Sequence, residues 1–192
     1  MKNIIKRIFY TIAGLPFLHQ LGLPWRGRAC VLCYHRVMPD DKIDSINCPN
    51  SSLIMPESSF EEQMEFLSKN YKIVSMNGLL NHLRGSSNKF VVSVTFDDGY
   101  KDNLIYALPI LEKFNIPVTI YITTRFPEGE TWMWWYEIWD YLKDNSVLNL
   151  KYLEKNKTWN IRSLKQKINC YNELSKWFMR LPIKNQKTAL EK

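Results

Sequence analysis

At 192 residues, with 45% hydrophobic and 23% charged residues, the chain has the composition of a folded protein and is long enough for about one domain. Seven glycines and nine prolines exclude a collagen-like or linker-dominated chain, and no run of 18 apolar residues offers a full membrane span. The net charge of +7 is unevenly spread: residues 1–28 carry +5, 29–144 carry −6 and 145–192 carry +8. A nucleic-acid function inferred from net charge alone therefore fails for the acidic middle.

These three stretches also set the expected organisation: a basic amphipathic segment (1–28), a main domain (29–144) and a basic helical tail (145–192). In the first, Ile4, Ile5, Ile8, Phe9 and Ile12 recur at helical spacing, with Lys2, Lys6 and Arg7 off the stripe. Three readings stand for it: a signal peptide interrupted by Pro16 and His19, a helix lying on an anionic membrane surface, or a helix packed on the domain.

The stretch ACVLCY at 29–34 reads as a strand. Its Cys30 and Cys33 form a CxxC, but three residues of strand span about 10 Å and put the side chains on opposite faces. That exceeds the roughly 7 Å limit for a disulfide, so buried free thiols are expected. Residues 36–56 read as a long loop rich in Pro, Asp, Asn and Ser. Ser59 and Glu62 form a capping box opening a helix whose inner side carries Phe60, Met64 and Leu67. A strand at 71–75 follows, then a helix capped by Ser75 and stopped by Gly85.

The clearest strand is FVVSVTF at 90–96, which ends abruptly in Asp97, Asp98 and Gly99. A helix over 103–114 contains Pro109, which predicts a kink or a late start, and PVTIYIT at 117–123 is the fourth strand. The alternation of strand and helix predicts a parallel sheet with right-handed crossovers. Beyond it, Trp132, Trp135, Tyr136 and Trp139 share a helical face, read as a docking face in preference to a sugar-stacking platform. From residue 148 onward the pattern predicts basic helices and no further strand.

Parallel strands present ligands at their carboxyl ends, and Asp97 and Asp98 stand there. Two adjacent carboxylates at a buried strand end need a cation or a proton to relieve them. One can ligate a divalent metal while its neighbour acts as a base on bound water. The bland alternative is a solvated turn with Asp102 capping the next helix. His35 closes the first strand on the same rim, as a group that orients the site or contacts substrate, or as a structural histidine.

TFDDGY at 95–100, LCYHRV at 32–37 and VTIYIT at 118–123 resemble the polysaccharide deacetylase family, the NodB homology domain of carbohydrate esterase family 4. The resemblance spans about 29–142 and implies a distorted parallel (β/α) barrel that removes acetyl groups from a glycan with a divalent metal, zinc before nickel or cobalt. By position Asp97 resembles the catalytic base and Asp98 the metal ligand, with His35 and Tyr100 around them. The family completes its metal site with a later His-x-x-x-His; here the histidines are His19, His35 and His82, and none follows Asp98. About four parallel strands against the eight of a closed barrel predict a partial barrel followed by a truncated helical tail. The expectation for this chain alone is turnover well below that of a complete site, and the alternative is an inactive remnant that binds glycan or a partner chain. The implied partner is an acetylated polysaccharide, without nucleic acid and with membrane contact through residues 1–24. The implied location is the cell envelope or exterior, or the cytoplasmic membrane surface.

Overall fold

The computed structural model describes residues 27–43, 50–129, 133–153 and 155–190. The amphipathic start, Cys48 and Trp132 lie outside the described residues. In chain order the elements are β1 (Ala29–Tyr34), β2 (Arg36–Met38), β3 (Ile54–Pro56), α1 (Glu57–Asn70), β4 (Lys72–Ile73), α2 (Met76–Arg84) and β5 (Val91–Asp98). A π-helical turn (Asn103–Ala107), α3 (Leu108–Lys113), β6 (Val118–Ile122), α4 (Trp134–Asp144), β7 (Val147–Tyr152), β8 (Lys155–Asn160), α5 (Leu164–Phe178) and α6 (Ile183–Leu190) follow.

β5 is the centre of a parallel sheet. β1 runs along one side of it, with Tyr34 opposite Phe96. The other side is shared by β4 at the start and β6 at the end. Because both faces of a central parallel strand are covered, its first six residues are all buried. Val92, Val94 and Phe96 enter one core with Tyr34, Phe60, Met64, Ile110 and Leu111. Ser93 and Thr95 alternate to the other face, where their hydroxyls donate to the carbonyls of Val74 (2.7 Å) and Leu32 (3.3 Å). The parallel α/β expectation holds. Among the described residues the sheet is open, with no strand on the outer side of β1 or β6.

Three local expectations need correction, while the late α-helical start expected at Pro109 is found, with α3 beginning at Leu108. The long loop contains a short parallel pair, β2 with β3. Helix α1 starts at Glu57 rather than after Ser59, and no residue of its own caps it. Its first turn is held from a distance by Asp40, whose carboxylate accepts from Ser58 Oγ (2.6 Å) and Ser58 N (3.1 Å). Near Pro109 the helix widens into the π-helical turn, the bulge expected where proline withholds an amide hydrogen. The tail is not all helix, since β7 and β8 form an antiparallel hairpin with Leu148 opposite Trp159 and Tyr152 opposite Lys155.

That hairpin builds a second core with α4 and α5, centred on Trp139, Leu142, Trp159, Tyr171 and Phe178. Trp139 meets Tyr171 edge-on at 5.8 Å, and Trp134 lies 4.7 Å from Phe178. The Trp-rich helix is thus a docking helix, although Tyr136 leaves the core for another partner.

Candidate active site

β5 aims its last two residues at the carboxyl edge of the sheet. Asp97 and Asp98 pair in register with Tyr121 and Ile122 of β6, and both are half-buried. Asp98 and Gly99 then adopt φ of 69° and 70°, successive left-handed residues that reverse the chain within one turn. Aspartate tolerates that region better than most residues, whereas Gly99 is required twice over. A Cβ there would lie 3.1 Å from Ile122 Cγ1, besides adopting a strained φ.

The registers bring β1 to the same edge. Tyr34 stands opposite Phe96, so His35 follows at the level of Asp97. Cys33 lies on the face that carries Thr95 and Asp97, and its thiol donates to Asp97 Oδ2 at 3.3 Å. Burial, followed by the hydrogen bond to the Asp97 carboxylate, raises the Cys33 pKa and keeps the thiol protonated. Cys30 and Cys33 are free thiols on opposite faces, as strand geometry requires. The expectation that both are buried fails, because Cys30 is half-buried and Cys33 is exposed.

Beneath the edge lies an arginine clamp. Arg36 Nε donates to Asp102 Oδ2 at 2.7 Å and Nη1 donates to the Tyr136 hydroxyl at 2.7 Å. The guanidinium also lies 4.8 Å from the centre of the Tyr100 ring. One side chain therefore joins β2, the helix entrance after Gly99 and α4. Burial raises the Asp102 carboxyl above the usual carboxylate range despite the opposing Arg36 hydrogen bond and charge. At Arg36 burial is outweighed by Asp102, so the guanidinium is held in its charged form. Burial, then the neighbouring Tyr136 hydroxyl and the Asp98 charge, push the Tyr100 phenol upward. Asn103, with its amide turned to suit its neighbours, donates to the His35 carbonyl (2.9 Å) and Asp102 Oδ1 (3.1 Å).

The structure thus brings Asp97, Asp98, His35 and Tyr100 to one edge. It also adds Cys33, Arg36, Asp102, Asn103 and Tyr136, whose part the sequence reading did not assign. Asp102 makes no helix-capping bond and serves the clamp instead. Among the described residues no group of three or more His, Cys, Asp and Glu side chains is disposed to hold a metal ion. The carboxylate pair with the Cys33 thiol does not by itself fit a metal centre, which usually takes three protein ligands. A cavity of about 240 Å³ lies elsewhere, in the second core between Ile138, Leu150, Leu174 and Trp177.

An open parallel sheet with a carboxylate pair at its carboxyl edge makes the chain an α/β protein, a class in which ligands commonly bind at strand ends. The family follows from comparison: the Polysaccharide deacetylase profile matches residues 84–192, more than half of the sequence, and the chain belongs to that family. The match covers Asp97, Asp98 and Tyr100 and continues through the basic tail, while β1, His35 and Arg36 precede it. YxkH of Bacillus subtilis, named as a polysaccharide deacetylase, is 34% identical over 96 residues, 48% of this chain and 30% of that protein. The Streptococcus pyogenes deacetylase PplD, solved with acetate, is 25% identical with a TM-score of 0.46, covering 55% of this chain and 46% of that one. IcaB of Ammonifex degensii is 27% identical with a TM-score of 0.42, covering 50% and 39%. The chain spans less than half the length of each of these three relatives.

Proposed function

We propose that the protein is a hydrolase that removes acetyl groups from an acetylated glycan, with Asp97 as its base. The observation that carries this reading is the placement of Asp97 and Asp98 at the carboxyl edge of β5 in a chain of the deacetylase family. As base, Asp97 takes a proton from the water that attacks the acetyl carbonyl carbon and returns it to the departing nitrogen, so that collapse of the tetrahedral adduct breaks the carbon–nitrogen bond and releases acetate and the glycan amine. The Cys33 thiol, bonded to Oδ2, fixes the direction in which that carboxylate points. The left-handed turn and the arginine clamp keep Asp98 and Tyr100 at the edge. The open sheet, unpaired at β1 and β6 among the described residues, supports reading it as one section of a barrel wall.

The family resemblance implies a divalent metal, but the described residues do not assemble one, and no step above depends on it. The test is acetate release from acetylated chito-oligosaccharides over hours, comparing the wild type with Asp97→Asn and Asp98→Asn. General-base removal predicts at least a tenfold loss for Asp97→Asn, with Asp98→Asn also impaired. Acetate release equal in all three proteins, or absent from all of them, would overturn the assignment.

A further inference from the structure

The Trp-rich helix offers no free surface to a sugar, because its rings are taken up inside the chain. Trp134 packs on Phe178 and Trp139 on Tyr171 in the second core, and the Tyr136 hydroxyl accepts from Arg36. An unengaged aromatic ring stands instead on β6, at the carboxylate edge. Tyr121 pairs in register with Asp97. Val118 packs against the first core, and side chains alternate along a strand, so Thr119 and Tyr121 face the opposite way. That is the face of Ser93, Thr95 and Asp97, to which Cys33 also belongs. Tyr121 is 50% exposed, and among the described residues it has no hydrogen bond, ion pair or ring contact. Other tyrosine hydroxyls are engaged: Tyr34 donates to Gln63 (2.8 Å), and Tyr106 accepts from Lys42 (3.2 Å).

A half-exposed tyrosine on a strand is ordinary by itself. What distinguishes Tyr121 is its neighbour. Any substrate that reaches Asp97 comes over this face, so the face stays open beside Tyr121. Ile120 and Ile122 are exposed too, but they point with Phe96 to the other face. Below the pair stand Thr95 and Thr119, themselves in register and both short. The Tyr121 ring and the Asp97 carboxylate therefore rise side by side above a low floor. Neighbouring strands lie about 4.8 Å apart, so a sugar ring held against Tyr121 keeps its substituent within reach of Asp97.

We infer that Tyr121 is a substrate-binding residue, its ring stacking on the pyranose that carries the acetyl group and presenting that group to Asp97. For its substrate this inference rests on the deacetylase reading. A pyranose shows a face of C–H groups and carries its hydroxyls at the rim. A tyrosine, with an apolar body and a polar tip, matches both. Stacking acts equally before and during the reaction, so it lowers KM and leaves kcat unchanged.

The test uses the full chain as wild type, Tyr121→Ala, Tyr121→Phe and Tyr141→Ala. Tyr141 is equally exposed, at 49%, but lines the cavity of the second core. NMR titration with acetylated chitotetraose reads affinity without turnover, and acetate release reads KM and kcat. The inference predicts affinity about tenfold weaker and KM about tenfold higher in Tyr121→Ala, with kcat within a few-fold of wild type. Tyr121→Phe, which keeps the ring, and Tyr141→Ala stay within about twofold of wild type in affinity and KM. The melting temperature of Tyr121→Ala stays within about 3 °C of wild type, because a half-exposed side chain without partners adds little to folding. Equal affinity of wild type and Tyr121→Ala would overturn the inference. So would absence of binding by the wild type, an equal loss in Tyr141→Ala or Tyr121→Phe, or a loss in Tyr121→Ala that follows a fall in melting temperature. Binding that depends on Tyr121 without acetate release would support the inference and overturn the deacetylase reading alone.

Discussion

Replacing Arg36 with alanine leaves the Asp102 carboxylate, 8% exposed, without its cation and the Tyr136 hydroxyl without its donor. Breaking a buried ion pair from one side costs about 3–5 kcal/mol, because the remaining charge stays desolvated. Arg36 is itself 20% exposed, so water reaches the vacated space, and about 2–4 kcal/mol is the working value. For a chain of this size that is a fall of about 5–15 °C in melting temperature. The pH dependence has a definite sign. Burial already raises the folded-state pKa of Asp102, and removing Arg36 raises it further. A carboxyl whose folded pKa exceeds its unfolded one binds a proton preferentially in the folded state, so its contribution to stability is lost as pH rises through the folded pKa. Urea unfolding of wild type and Arg36→Ala will show a deficit largest near neutral pH and smaller at about pH 5. Adding Asp102→Asn to Arg36→Ala will recover part of it. A deficit below about 0.5 kcal/mol, or one unchanged between the two pH values, would refute the buried-charge reasoning.

Gly99→Ala combines a φ of +70° with a Cβ 3.1 Å from Ile122 Cγ1. A loss of about 1–2 kcal/mol is expected in thermal unfolding, and no loss would show that the turn does not hold its left-handed form. Hydrogen bonds from Lys155, Lys157 and Trp159 hold Glu173 down to a pKa of about 2. That stabilisation is present above the unfolded value and lost as pH falls from about 4.5 to about 2. Acid titration of Glu173→Gln will lack this component of unfolding, whereas an acid transition identical to wild type would contradict it.

The parallel sheet was legible because its strands are short β-branched or apolar runs, with the helical spacing of Phe60, Met64 and Leu67 between them. The β7–β8 hairpin was not. Lysines at 155 and 157 stand on its inward face, which reads as polar until Glu173, 16 and 18 residues away, is placed against them. Helix α1 misled for a related reason, since its cap comes from Asp40 rather than from its own first turn. At the site, the acidic pair was visible as a sequence motif ending an apolar strand. Cys33 was visible as a residue but not as a partner of Asp97, because that contact depends on the β1–β5 register. Even so, a parallel register with Tyr34 opposite Phe96 puts residues 33, 95 and 97 on one face. Asp102 read as a cap because its cation is 66 residues earlier in the chain.

The most direct test of Asp97 as the acting group uses its closest functional neighbour. Cys33 lies 3.3 Å from Asp97 Oδ2 and is a side chain at this edge that could itself attack an acetyl group. Acetate release from acetylated chito-oligosaccharides should be measured side by side for wild type, Cys33→Ala and Asp97→Asn. The account predicts that Cys33→Ala stays within a few-fold of wild type, while Asp97→Asn falls about tenfold or more. Loss of acetate release in Cys33→Ala with activity kept in Asp97→Asn would contradict it and make the thiol the reacting group.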